Sequence, residues 1–300
     1  MGVHFVNKFF LVFNCASEFS QFDLAMAIRK DSPWKLLRGS RQDQSLAVEK
    51  LLRAYKRERA LSEVVSLSAG YFWTRKFAEV AEFADAENKS SHYIRSTTHA
   101  IAGTARWCMG DIGGAVTRWR AGLKPDYADA NGVGIEIPLL LFTASVLEPS
   151  CVEQDEILKL IETKSKDRRI MPQSWPLIPP GMSEDEIMKI FENMPVDRRR
   201  FEPPYCHHMA LLLLALGRAD DEVLEAACDS ENQDRAFRRR CEAEFYKSVV
   251  ELKATQDKSA FRQAMKKLTD TRKWNDECFT SGIRESWFHL ARYEASLIRR

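Results

Sequence analysis

The sequence predicts an all-α fold, an α-α superhelix built from antiparallel helical hairpins. Three observations carry that reading. Apolar residues recur at the helical period rather than in alternation. Gly110 and Gly217 each close an apolar helix and are followed within a few residues by Asp, the pattern of a left-handed C′ residue feeding a tight turn. No run of alternating, β-branched residues joined by a hairpin dipeptide is present.

The elements follow in chain order. Residues 1–40 define no regular unit. Lys8 precedes a short apolar stretch, Phe9–Phe13, and then Asn14-Cys15-Ala16-Ser17. The stretch is shorter than most export-signal cores, and Asn14 is a poor residue before a lipidated cysteine, so a cytoplasmic protein is expected. An exported or envelope-associated protein is the alternative if residues 1–16 act as a signal. Over 41–169 helical repeats are expected. Val48, Leu51, Leu52 and Tyr55 make one stripe. Trp73, Phe77, Val80, Ala81 and Ala84 make another, on what reads as one helix. Asn131-Gly132 and Pro138 interrupt a segment that reads as mainly helical. Ser150-Cys-Val-Glu153 and Ser183-Glu-Asp-Glu186 have the capping-box pattern of two helix starts.

Seven of the 11 prolines fall between Pro172 and Pro204. Proline removes a backbone donor and disfavours helix in the residue before it. Residues 170–204 therefore read as a connection around a short helix at 183–193. Helical repeats resume over 205–300. Met209–Leu216 is the longest apolar run, too short for the ~20 residues of a membrane span. Trp287, Leu290, Ala291 and Glu294 form the last stripe, continued by Leu297.

Composition narrows the function. Hydrophobic residues make up 45% and charged residues 29%, too apolar for a disordered chain. A net charge of +2 argues against a dedicated nucleic-acid binder. Seven dispersed cysteines with no Cys-x-x-Cys form neither a disulfide framework nor a zinc ribbon. Cys206-His207-His208 suggests a metal or cysteine–histidine site, but neighbours on a helix point about 100° apart. A structural role is expected, with no metal and no cofactor. Acidic runs such as Asp220-Asp221-Glu222 sit at helix starts, where the dipole favours them. There is no phosphate-binding glycine loop, nucleophile elbow or His-Glu-x-x-His. No catalytic residue is expected.

The clearest unit runs from His99 to Pro125. Gly103 lies in its first helix, Gly110-Asp111 in the turn, and Ala115, Trp119 and Gly122 follow at intervals of four and three. Small residues in both helices allow a close crossing, and the large one fills the space beside it. A second unit covers about 241–270, with Gln256-Asp257 in the turn and Phe261, Met265 and Leu268 beyond it. The first unit resembles a tetratricopeptide repeat, and the second a degenerate copy. Arg106 stands where that family has an aromatic residue, and Pro125 comes early. Trp175-Pro176, then Gly181-Met-Ser-Glu-Asp-Glu186, then Cys241-Glu-Ala-Glu-Phe-Tyr246 resemble the C-terminal half of bacterial tetratricopeptide proteins related to envelope lipoproteins.

The resemblance implies a non-enzymatic scaffold that binds a peptide or protein in a concave groove. Its groove positions map to Thr97, Ala100, Thr104, Trp107 and Cys108 in the first unit. In the second they map to Ala243, Tyr246, Val250, Lys253 and Ala254. The Lys and Asn that clamp a peptide carboxylate in that family are absent at Ala100 and Thr104, so apolar and aromatic contacts are expected. Two arginine runs, Arg198, Arg199, Arg200 and Arg238, Arg239, Arg240, could instead meet an acidic partner or the phosphates of a nucleic acid. That is the alternative reading.

Overall fold

The computed structural model describes residues 32–90, 95–123, 133–165, 207–230 and 232–299. The expectations on residues 1–16, Asn131-Gly132, the Trp175-Pro176 and Ser183 phrases and Arg198–Arg200 lie outside these residues. The described chain is helical, without a strand among the described residues. The helices are α1 (Pro33–Leu37), α2 (Arg41–Glu58), α3 (Leu61–Trp73), α4 (Phe77–Ser90), α5 (Arg95–Met109), α6 (Ile112–Ala121), α7 (Val133–Leu147) and α8 (Gln154–Ser165). They continue with α9 (His207–Ala215), α10 (Asp221–Cys228), α11 (Gln233–Thr255), α12 (Lys258–Leu268), α13 (Asp276–Gly282) and α14 (Ser286–Ser296). Among the described residues no helix is long and apolar enough to cross a membrane.

Consecutive helices fold back on each other through short turns, and three of the turns share one device. After α5, Gly110 takes φ +85°, its N–H donates to Trp107 O at 2.8 Å, and the Asp111 N–H donates to Arg106 O at 2.9 Å. After α9, Gly217 at φ +71° repeats the pattern with Leu214 and Leu213. These are Schellman motifs, which use the left-handed residue to satisfy the last carbonyls of the helix. The third follows α3, and there the left-handed residue is Arg75, at φ 60°. Its N–H donates to Phe72 O and that of Lys76 to Tyr71 O, while the Thr74 hydroxyl takes Gly70 O at 2.9 Å.

That third turn corrects the sequence reading. The stripe Trp73, Phe77, Val80, Ala81, Ala84 lies on two helices, because Thr74–Lys76 end α3 and α4 starts afresh. The Ser150 capping box also does not form. Ser150 lies in a turn, and α8 starts four residues later, at Gln154. A box of the same chemistry forms at Ser40, whose hydroxyl accepts from the Asp43 N–H while Asp43 accepts from the Ser40 N–H. The helix that carries Cys241–Tyr246 starts eight residues before Cys241, at Gln233, where the Asn232 side chain accepts the Arg235 N–H at 2.8 Å.

The α5–α6 crossing is as close as its small residues allow. A Cβ on Gly103 would collide with the indole of Trp119, and one on Gly122 would meet Ile137 and His99. Trp119 is fully buried, and its Nε1–H donates to Ala100 O at 3.2 Å. Asp85 of α4 ties the same hairpin from outside, accepting from Arg106 at 3.2 Å and Arg118 at 2.7 Å.

One hydrophobic core runs from Trp34 to Ala291 and spans both halves of the chain. Its two ends meet in a seam. The Trp73 indole donates to Leu37 O at 2.6 Å and packs edge-on against Phe279, with centroids 4.8 Å apart. Arg38 donates to Thr271 O and Trp274 O, both at 2.8 Å, and pairs with Asp276 at 2.9 Å. Arg284 stacks 4.7 Å over Trp34 and donates to the Ser66 hydroxyl at 3.1 Å. Phe72 and His289 stack at 4.2 Å. The His289 Nε2 lies 2.6 Å from Ile283 O, so Nε2 carries the proton. Burial, aided by Arg292, lowers the pKa of this histidine to about 3 and keeps it neutral.

Gly103→Ala is expected to lower stability by about 1–3 kcal/mol, since an added methyl must displace an enclosed indole. Chemical denaturation monitored by circular dichroism checks this, and a variant as stable as the wild type would show that the crossing has slack.

Candidate functional site

The residues expected to line a groove are mostly interior. Ala100, Thr104, Trp107 and Tyr246 are each no more than 1% exposed, and Cys108 and Ala243 are also buried. On α5 the covering elements are α4, α6, α7 and α14. Trp107 stacks on Trp119 with centroids 5.7 Å apart, and the Thr104 hydroxyl donates back to Ala100 O at 2.9 Å. The Cys108 thiol reaches His289 O at 3.8 Å. Glu294 of α14 lies against the Trp107 indole N–H. The face that the resemblance assigns to a hollow is therefore filled by the chain's own last helix. Thr97 remains half-buried, as do Val250 and Lys253, and Ala254 is exposed. Lys253 Nζ sits 5.9 Å over the Phe142 ring.

The described arginine run is engaged within the chain. Arg238 pairs with Glu285, Arg239 donates to Asp229 O at 3.1 Å, and Arg240 donates to Glu225 at 2.7 Å. These acceptors hold the guanidiniums that were expected to face an anion.

A different group of side chains gathers where α7, α9, α10, α11 and the start of α14 meet. His207 Nε2 lies 2.8 Å from a Glu242 oxygen, and His207 Nδ1 lies 3.8 Å from the Cys228 thiol. Burial holds His207 well below the usual histidine range, with Arg239 and Arg238 adding to the effect. The neutral imidazole thus donates from Nε2 to the carboxylate and accepts the thiol proton at Nδ1. Thiol, imidazole and carboxylate in line is the order of a nucleophile, its base and the group that orients the base. The chemistry does not follow the order. Burial pushes the Cys228 thiol up to about 12, and the residue is 1% exposed, so the thiol is neither ionised nor accessible.

Three carboxylates share this region. Glu242 is raised by burial, against the pull of His208, Arg238 and Arg239. Glu285 is raised by burial too, offset by Arg238. Glu136, which accepts the Ser286 N–H at 3.4 Å, is pushed up to about 7 by burial first and by Glu285 next. The Tyr246 hydroxyl is raised by burial and by all three acids. Among the described residues no group of His, Cys, Asp and Glu has the geometry to hold a metal ion. The cluster was not legible as a site, because its members come from five segments, α7, α9, α10, α11 and the start of α14, with no spacing rule between them. The one local trace is Arg238 four residues before Glu242 on α11.

Comparison with protein-family models, with curated proteins and with solved structures finds no match to this chain.

Two outcomes follow from this geometry. Trp107→Ala is expected to cost about 3–5 kcal/mol of stability, the scale for emptying a buried aromatic site, as read by denaturant titration. Glu136 has a folded pKa above its ordinary value, so its contribution is fully present below about pH 4.5 and is lost as pH rises through about 7. Glu136→Gln should therefore match the wild type near pH 4.5 and exceed it at pH 8 by on the order of 2–3 kcal/mol. Unfolding free energies of both proteins across that range test this, and a gap that does not grow with pH would refute it.

Proposed function

We propose that this chain is a non-enzymatic, tetratricopeptide-like scaffold that binds a peptide or protein partner. The observation that carries the reading is the way one helix face emerges from the core. Tyr246, Val250, Lys253 and Ala254 lie on one face of α11, and they pass from buried through half-buried to exposed toward its C-terminal end. That end supplies apolar stem, methyl and ammonium contacts beside the Phe142 ring, the mix expected at the edge of a peptide site. The contact surface is accordingly Val250, Lys253 and Ala254, with Thr97 on α5 as a further member. The small-residue crossing of α5 and α6 supports a repeat-like stacking of hairpins. The reading as a nucleic-acid binder is the weaker one, since Arg238 and Arg240 already have acidic partners.

Selection of displayed peptides on the immobilised full chain tests the proposal. Peptides binding with micromolar Kd are expected, and Lys253→Glu combined with Ala254→Arg should weaken them at least tenfold with an unchanged helical spectrum. Failure to select any peptide, or binding indifferent to the double variant, would overturn it. Nucleic-acid binding that falls steeply with added salt would move the assignment to the alternative.

A further inference from the structure

At the seam between the two ends of the chain, a small cavity lies between α3, α5 and the start of α14. Its volume is about 10 Å³. That is the lower bound of the roughly 10–15 Å³ that one buried water occupies. Phe72 and Ile101 form apolar walls, and Arg284 borders the space from the position where its guanidinium donates to the Ser66 hydroxyl at 3.1 Å. Three further residues bring polar groups to the lining: Ser68 of α3, and Ser286 and His289 of α14.

Ser68 is the residue whose chemistry the cavity must complete. It is 2% exposed, and among the described residues its hydroxyl has no hydrogen-bond partner. A serine or threonine on a helix commonly turns its hydroxyl back to the carbonyl four residues before, as Thr74 does to Gly70 O at the end of this same helix. Ser68 does not. A buried hydroxyl left unpaired loses its hydration without compensation, so protein interiors supply it with a partner, protein or water. His289 offers the complementary group. Its Nε2 proton goes to Ile283 O at 2.6 Å, and burial keeps the ring neutral, which leaves Nδ1 as an acceptor. Among the described residues no donor reaches Nδ1. The Ser286 hydroxyl lies against the Glu136 carboxyl, and a hydroxyl that donates there keeps its lone pairs for a further donor.

We propose that this cavity is a binding site for one ordered water molecule, which bridges the Ser68 hydroxyl of α3 to the His289 ring of α14. The water accepts from the Ser68 hydroxyl, donates one proton to His289 Nδ1 and donates the other to the Ser286 oxygen. Three hydrogen bonds are the usual number for a buried water. The volume admits no larger ligand. Solvent thereby joins α3 to α14 beside the direct contacts of the seam, and it holds the His289 ring in the tautomer that Ile283 O requires. The site is separate from the α11 surface and does not depend on a peptide binding there.

A crystal structure of the full chain at a resolution that shows solvent, together with oxygen-17 relaxation dispersion of the wild type and of Ser68→Ala in solution, tests the proposal. A water oxygen within about 3.2 Å of both Ser68 Oγ and His289 Nδ1 is expected. The dispersion amplitude of Ser68→Ala should fall by one long-lived water. Alanine is a good helix former, so the variant should keep the wild-type helical spectrum. A cavity without solvent density, a Ser68 hydroxyl turned back to Val64 O, or an amplitude unchanged in Ser68→Ala would each overturn the proposal. Xenon bound there under pressure would do the same, by identifying the space as dry.

Discussion

The seam between the two ends of the chain is the constraint on which the structure depends. Short helices joined by tight turns each leave an apolar flank uncovered, and an open row of them exposes a flank at either end. Here the ends cover each other. Trp73 and Phe279 meet edge to face, and the two rings are flanked by Arg38 and Arg292. Arg38 also takes two carbonyls, that of Thr271, which already accepts the Trp274 N–H, and that of Trp274. The arrangement makes the polar ends of one region answer the backbone of another, which a stripe of apolar residues alone does not do.

The same closure explains which sequence expectations hold and which do not. Helical period, the glycine turns and the crossing at Gly103 were legible, because each follows from residues within one hairpin. The break at Thr74–Lys76 was not. Its left-handed residue is Arg75 rather than glycine or asparagine, so the stripe reads straight through it. Whether Trp107 lies in a groove or in the core was not legible either. The resemblance maps that indole to a groove position, and Trp119 of α6 together with the return of α14, some 180 residues later, encloses it. Of the resemblance-based positions on α5, Ala100, Thr104, Trp107 and Cys108 are buried and Thr97 is half-buried, while at the end of α11 Ala254 is exposed.

The charges follow a related logic. Glu136, Glu242 and Glu285 come together with His207 and Arg238 at the meeting of four segments, and their mutual repulsion is limited by partial protonation and by Arg238. Buried ionic groups of this kind add little net stability but penalise any packing in which one partner is lost. They act as a registration device for α7, α9, α11 and α14. The thiol and imidazole beside them share that role, since both are enclosed and neutral.

The placement of α14 also has a consequence for biosynthesis. Contacts such as that of the Cys108 thiol with His289 O join positions 181 residues apart. A ribosome delivers the first hairpins long before the helix that covers them. Until then the nascent polypeptide carries a Trp107 flank that α14 does not yet cover, a state that favours chaperone capture and slow completion once α14 emerges.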